Sequence, residues 1–301
     1  MVTQPDRPAG RGHKLTPTPV KRAAEARGLR VLTPEKLKPF ADEARALGAD
    51  AFVVASYGKI VPQALLDVVP IAFNVHPSLL PLYRGATPLQ SAIRDGRTET
   101  GVTIIAMDAG MDTGDVLLQE RTPIGPEETY GELHDRLAQR GAELAAEALQ
   151  RYEDGSIEPR SQNEIARERG ISGEEIARTL TRPLRKDDFV IDWTLPRARV
   201  MDFVRYLVPQ PLARTEYPVG QTLKIVVVRP IPAKDAITGH PVLPPVPQLY
   251  VSAERPAFEA QCGDGNPVAI ECLIAPNRGR MTGEAYARSY LDRFTRDHAE
   301  R

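Results

Sequence analysis

Apolar residues recur along the first half of the chain in short runs separated by amphipathic stretches. Residues 51–56 (Ala-Phe-Val-Val-Ala-Ser) and 71–75 (Ile-Ala-Phe-Asn-Val) are compact apolar runs, and residues 101–107 are rich in β-branched side chains. Runs of this length bounded by turn residues predict buried strands of a parallel sheet, with a fourth strand over 116–119. Helical spacing is found at 20–28, 35–47, 62–68 and 88–94, with Gly28 and Gly48 as stops. A long helix is expected over 129–152, with Thr129 as its N-cap. Strands that alternate with helices imply an α/β domain with a mostly parallel sheet, closing near Asp154-Gly155. Residues 1–19 carry Pro and Gly at a density that excludes helix and strand interiors, so a loop is expected there.

The pattern then changes twice. Residues 156–187 are polar and charged and read as a linker with one or two short helices. After Phe189 comes a helix over 197–206, then short β-like runs at 223–228, 249–252, 258–262 and 268–274, punctuated by Pro and Gly. That spacing favours a small β-barrel or sandwich, and the Pro-rich stretch 230–248 reads as an irregular loop. The expected organisation is therefore a domain at 1–155, a linker at 156–187 and a second domain at 188–301.

Composition limits the function classes. The 301 residues are 42% hydrophobic and 26% charged with a net charge of −1, which suits a globular protein and points to no strongly charged partner overall. Locally the balance differs. Residues 1–30 hold seven Lys and Arg against Asp6 and Glu25, and residues 181–230 hold nine against five acids. Charge clusters are commonly just solvated surface, but two basic regions can also hold one polyanion. Cys262 and Cys272 alone form neither a disulfide framework nor a zinc spacing, so no metal is expected and a reduced, cytoplasmic protein is. No apolar run reaches bilayer length, so no membrane association is expected, and the chain is expected to act as a monomer.

The chemistry concentrates at Asn74, His76 and Asp112, the last lying thirty-six residues beyond His76 in Met111-Asp112-Thr113-Gly114. Strand alternation places Asn74 and His76 on one face. In open α/β sheets ligands bind outside the carboxyl ends of the strands, and Asp112 follows the 101–107 strand, which places it at a carboxyl end as well. When an amine attacks a formyl carbon, charge builds on the oxygen and a proton must leave the nitrogen. An amide and an imidazole N–H can stabilise the first, and a carboxylate can accept the second or hold the imidazole. Each residue alone has an ordinary structural use, His as a donor, Asn and Asp in turns. Their combination favours acyl transfer to an amine.

At these positions the sequence resembles the formyltransferases that use 10-formyltetrahydrofolate. The resemblance is carried by Asn74-Val75-His76, Ser78-Leu79-Leu80-Pro81 and Met111-Asp112-Thr113-Gly114. Within them it is similar to the branch that acts on initiator methionyl-tRNA, through Thr3 to Gly12, Tyr83-Arg84-Gly85-Ala86, Ile191-Asp192-Trp193, Cys262-Gly263-Asp264-Gly265 and Arg278-Gly279-Arg280. The resemblance implies catalytic roles for Asn74, His76 and Asp112 and a folate-binding segment at Ser78, Leu79, Leu80 and Pro81. It implies tRNA contacts from Arg7, Arg11, Lys14, Arg278 and Arg280. The implied fold is a Rossmann-like formyltransferase domain followed by an OB-like β-barrel. The implied reaction moves the formyl group of 10-formyltetrahydrofolate, as co-substrate, to the methionine of initiator tRNA for translation initiation. Formylation of another amine, formyl-folate hydrolysis, or an impaired tRNA-binding protein are the alternatives.

Two departures stand out. The family opens with a βα unit of roughly thirty residues whose strand is central in a doubly wound sheet, and Met1 falls after it. Without that strand, sheet edges would be exposed, and the expectation is that the start is misassigned. Val208-Pro209-Gln210-Pro211 also replaces the family's Asn-Pro-Trp-Pro.

Overall fold

The structure, a computed structural model, describes residues 1–9, 14–218, 220–231, 248–251 and 257–299. It divides into two compact units. The first comprises Met1–Ala86, Val102–Glu120 and Gln139–Leu180, and the second Thr87–Gly101, Arg121–Ala138 and Thr181–Arg301.

The chain opens with a hairpin of β1 (Arg7–Ala9) and β2 (Lys14–Thr16), where Pro and Gly density had suggested only loop. Proline cannot serve an inner ladder, but a two-stranded ribbon needs hydrogen bonds on one side only, and Pro8 stands opposite Leu15. α1 (Pro19–Glu25) starts on Thr18, whose hydroxyl accepts the Lys21 N–H at 3.0 Å. α2 (Leu37–Ala46) buries Leu37, Phe40, Ala41 and Ala44, a stripe at helical spacing. β3 (Ala51–Ala55) leads into α3 (Gln63–Leu66), and Leu65 of α3 packs against the α2 stripe.

β4 (Ile71–His76) runs parallel to β3, with Ala55 opposite Val75. α4 (Pro88–Arg94) precedes β5 (Glu99–Ala106) and β6 (Val116–Pro123), which complete a four-stranded sheet ordered β3-β4-β5-β6. Two expectations change here. β3 reads as a buried strand, yet among the described residues only β4 pairs with it, and Val53 is 46% exposed on this edge. β5 runs antiparallel to β4, pairing Phe73 with Ala106 and His76 with Thr103, so the sheet is mixed rather than mostly parallel. An apolar run buried on both faces has the same pattern read in either direction, so its composition cannot specify orientation.

α5 (Tyr130–Glu153) begins after Thr129, and Thr129 and Glu132 exchange side-chain to backbone hydrogen bonds at the start of the helix. α6 (Gln162–Glu168) and α7 (Gly173–Arg178) are short helices within 156–187, where one or two were expected, and are capped by Ser161 and Ser172. Leu80, Ile105, Val116 and Ile165 form one core cluster, so α6 is packed onto the sheet rather than strung along a free linker.

The second unit contains α8 (Arg197–Arg205), β7 (Ala213–Glu216), β8 (Thr222–Pro230), β9 (Gln248–Val251), β10 (Phe258–Gln261), β11 (Pro267–Ile274), β12 (Arg280–Thr282) and α9 (Gly283–Ala299). The strands form one antiparallel sheet ordered β7-β8-β11-β10-β9, with β12 also on β11. In β11 the buried positions shift from Val268 and Ile270 to Leu273 where the register against β8 is irregular. Such a bulge bends a strand, and the expected barrel takes the form of a half-barrel. Tyr286 of α9 packs on Phe258 with ring centroids 5.0 Å apart and donates to the Tyr217 carbonyl at 2.8 Å. The helix starts at Gly283, where any Cβ would lie 1.7 Å from the Ile270 carbonyl oxygen. Most of the Pro-rich stretch 230–248 lies outside the described residues. No described helix is long and apolar enough to cross a membrane.

Candidate active site

The structure brings Asn74, His76 and Asp112 together. Asn74 Nδ2 donates to Asp112 Oδ1 at 3.2 Å, and His76 Nδ1 lies 3.6 Å from Asp112 Oδ2. Alternation along β4 accounts for Asn74 and His76 sharing a face. Asp112 arrives by a route other than a shared carboxyl end. β5 is antiparallel to β4, so the connection after it starts beside Ala72, where Met107 N–H donates to the Ala72 carbonyl at 2.7 Å. The loop then turns back over the face that carries Asn74 and His76. Asp108 ties the turn, accepting from Gly110 N–H at 3.0 Å and from the Thr113 hydroxyl at 2.8 Å.

Asp112 has φ +57°, the left-handed region, which Asp tolerates better than most residues. Its Oδ2 also accepts the Gly85 N–H at 2.9 Å. Gly85 has φ +108°, a backbone open to glycine and unfavourable for a side chain with a Cβ. The carboxylate thus has one donor on each oxygen, and the imidazole edge beside it.

His76 is only 3% exposed. Its Nε2 lies 3.0 Å from the Tyr83 carbonyl oxygen, which can only accept, so Nε2 carries the proton and Nδ1 faces Asp112. Burial pushes the imidazole below its ordinary value of 6.5. The Asp112 carboxylate and the Tyr83 carbonyl oppose that push, and the Arg84 charge adds to it. A group harder to protonate folded than unfolded leaves stability intact above about 6.5 and lowers it as pH falls through that value toward the folded one. Thermal unfolding of the wild type should therefore show Tm falling between pH 7.5 and 5.5, and His76→Gln should flatten that slope. Equal slopes would remove His76 as a source of acid sensitivity.

The segment Ser78, Leu79, Leu80 and Pro81 follows directly. Ser78, Leu80 and Pro81 are buried, and Leu79 is the partly exposed member. Ser78 Oγ donates to the Leu82 carbonyl at 2.8 Å. Thr103 Oγ1 donates to the Ser78 carbonyl at 2.6 Å, and Gln119 Nε2 bridges the Leu80 carbonyl at 3.0 Å and Thr103 Oγ1 at 2.7 Å. The segment is held rigidly at the end of β4, leaving its backbone and Leu79 as the surface it can offer.

Of the basic candidates, Arg7 and Lys14 are exposed on the β1-β2 hairpin. Arg7 pairs with Thr16 and Ala9 with Lys14, which puts both cationic side chains on one face of the ribbon. Arg11 lies outside the described residues. Arg278 and Arg280 are exposed in the second unit, where Arg278 donates to Ser289 Oγ at 3.3 Å. Among the described residues no group of His, Cys, Asp and Glu is arranged to hold a metal ion. The Tyr83 carbonyl, the Gly85 N–H and Gln162 escape sequence reasoning, since backbone groups carry no side-chain signature and Gln162 sits in the stretch that reads as linker.

Residues 1–149 match the family described as Formyl transferase, and residues 183–291 match Formyl transferase, C-terminal domain. The chain is 44% identical over 257 residues to the methionyl-tRNA formyltransferase of Solibacter usitatus, covering 84% of this chain and 79% of that one. It is 38% identical over 291 residues to that of Citrifermentans bemidjiense, covering 95% and 84%. In fold it resembles the N-formyltransferase of Helicobacter canadensis solved with folinic acid and dTDP-3-aminofucose, with a TM-score of 0.61 over 89% of this chain and 86% of that one at 18% identity. HypX of Aquifex aeolicus in complex with tetrahydrofolic acid aligns with a TM-score of 0.60 at 19% identity, covering 89% and 44%.

A mixed sheet presenting an amide and an imidazole within 3.6 Å of one carboxylate, followed by an antiparallel half-barrel, defines an enzyme of the formyltransferase class. At the identities and coverage found, the chain belongs more narrowly to the methionyl-tRNA formyltransferase family.

Proposed function

We propose that this chain moves the formyl group of 10-formyltetrahydrofolate to the α-amino group of methionine on initiator tRNA, as a monomer in the cytoplasm and without a metal. The convergence of Asn74, His76 and Asp112 carries this reading. Catalysis is assigned to residues 1–155 and acceptor recognition largely to 188–301, joined by 156–187.

The amine nitrogen attacks the formyl carbon, and charge develops on the formyl oxygen. Asn74 spends one amide hydrogen on Asp112 and has a second for that oxygen. Stabilisation of this kind is often the largest catalytic contribution. The attacking amine loses one proton, and the pair formed by His76 Nδ1 and the Asp112 carboxylate is placed to receive it. The neutral imidazole supplies a lone pair at Nδ1, and the carboxylate stabilises the imidazolium that results. As the bond from formyl carbon to N10 breaks, the same proton goes to N10, so tetrahydrofolate and the formylated amine leave balanced. Ser78, Leu79, Leu80 and Pro81 are assigned to the folate, with Leu79 as the contacting side chain. Arg7, Arg11, Lys14, Arg278 and Arg280 are assigned to tRNA phosphates, whose contacts weaken with salt.

The test supplies 10-formyltetrahydrofolate and charged initiator tRNA, and follows both tetrahydrofolate and formylmethionine. Equal yields of the two support transfer. Tetrahydrofolate and formate without formylmethionine would make the chain a hydrolase, and no turnover of folate would reject the reading.

A further inference from the structure

Four hydrogen bonds meet at Gln162, the first residue of α6, and the transfer chemistry above leaves this residue without a role. The residue is 4% exposed. Nε2 donates to the Asp112 carbonyl at 2.8 Å and to the Gly114 carbonyl at 2.8 Å. Oε1 accepts from Arg84 Nε at 3.0 Å and Arg84 Nη2 at 2.7 Å. The amide orientation follows from its surroundings: two carbonyls require the NH2, and a guanidinium requires the oxygen.

We propose that Gln162 is a positioning residue for formyl transfer, whose one amide clips the left-handed Asp112 backbone to the loop presenting the Gly85 N–H and thereby fixes where the Asp112 carboxylate stands. The inference rests on the formyl-transfer reading.

Gln162 is itself rigidly mounted. Arg160 exchanges two backbone hydrogen bonds with Val116, both at 2.9 Å, immediately beyond the loop whose Gly114 carbonyl Gln162 holds. Ser161 caps α6 and shares a capping box with Glu164. Ile165, one helical turn on, lies in the cluster with Leu80, Ile105 and Val116. The clip therefore transmits the position of the sheet to the loop instead of drifting with it.

Gln162 also controls charge. Arg84 is partly buried, and desolvation lowers its affinity for its proton while Asp112 and Asp108 restore it, so the guanidinium and the Asp112 carboxylate attract each other. The Oε1 acceptor gives Arg84 a fixed neutral partner on the neighbouring loop. Removing that acceptor lets the guanidinium turn to Asp112 and engage the carboxylate that supports His76. The groups facing the imidazole are Asp112, Arg84 and the Tyr83 carbonyl. With Asp112 paired elsewhere, the imidazole loses its main opposition to burial and becomes harder to protonate.

The experiment compares wild type with Gln162→Met and Gln162→Glu in steady-state formylation of charged initiator tRNA across pH. Gln162→Met keeps the shape but loses all four hydrogen bonds. Gln162→Glu keeps the acceptor for Arg84 and loses the donation to both carbonyls, so it serves if the first variant does not fold. The expected result is a kcat about 100-fold lower in either variant, the cost of misplacing a catalytic group by about an ångström, with KM for the formyl donor unchanged. In Gln162→Met the acid limb of kcat/KM also moves to lower pH. Variants with wild-type kcat, or with a lowered kcat, a lowered Tm and an unmoved acid limb in Gln162→Met, would overturn the inference. An inactive wild type would instead reject formyl transfer itself.

Discussion

Asp112→Asn lowers kcat for formyl transfer about 1,000-fold, within the range spanned by loss of a general acid or base, while the variant still binds the formyl donor. The substitution changes little in shape, and Asn tolerates the left-handed backbone as well as Asp does. It changes charge and donor count. Asp112 presents an acceptor to Asn74 Nδ2 on one oxygen and to the Gly85 N–H on the other. A carboxamide offers one acceptor, so its NH2 must oppose one of those two donors. His76 Nδ1, 3.6 Å from the carboxylate, loses the charge that stabilises its protonated form. Single-turnover formylation with saturating folate and charged tRNA reads the chemical step, and folate binding by fluorescence quenching reads the ground state. A variant within tenfold of wild type in single turnover would take Asp112 out of the proton path.

The meeting of Asn74 and His76 was legible because strand periodicity is two and needs no knowledge of neighbours. The arrival of Asp112 was legible as an outcome, since its turn follows a strand, but its route was not. β5 is buried at six consecutive positions, and such a run has no polar face to record which way its neighbour runs. The pairing of residues 7–9 with 14–16 was hidden for a related reason. Pro8 weighs against a strand in an inner ladder and weighs little in a two-stranded ribbon. The start of α5 was more readable, because Thr129 announces it locally. Least readable were the groups that hold the site in place. The Tyr83 carbonyl and the Gly85 N–H belong to the backbone, and Gln162 lies in a polar stretch whose apolar anchor Ile165 is inconspicuous until it is seen against Leu80 and Val116.

His76→Ala should abolish measurable transfer, with a loss of about 1,000-fold or more, and leave affinity for charged tRNA unchanged. The imidazole is buried between the Tyr83 carbonyl and the Asp112 carboxylate, so alanine leaves no side-chain lone pair and no titrating group beside that carboxylate. Its protonation sets the expected pH behaviour. Burial, Arg84, Asp112 and the Tyr83 carbonyl together leave the imidazole below 6.5, and the neutral form is the one with a lone pair at Nδ1. Wild-type kcat/KM should therefore hold level at neutral pH and fall tenfold per pH unit once pH drops below the His76 value. In Asp112→Asn that limb moves to lower pH, because the charge favouring the imidazolium is gone. In His76→Ala the limb disappears, and the residual rate should be flat across the same range. Filter binding of charged tRNA separates chemistry from recognition. Transfer by His76→Ala at the wild-type rate, or an acid limb that survives the substitution, would place the titrating group elsewhere and leave Asn74 and Asp112 to carry the reaction.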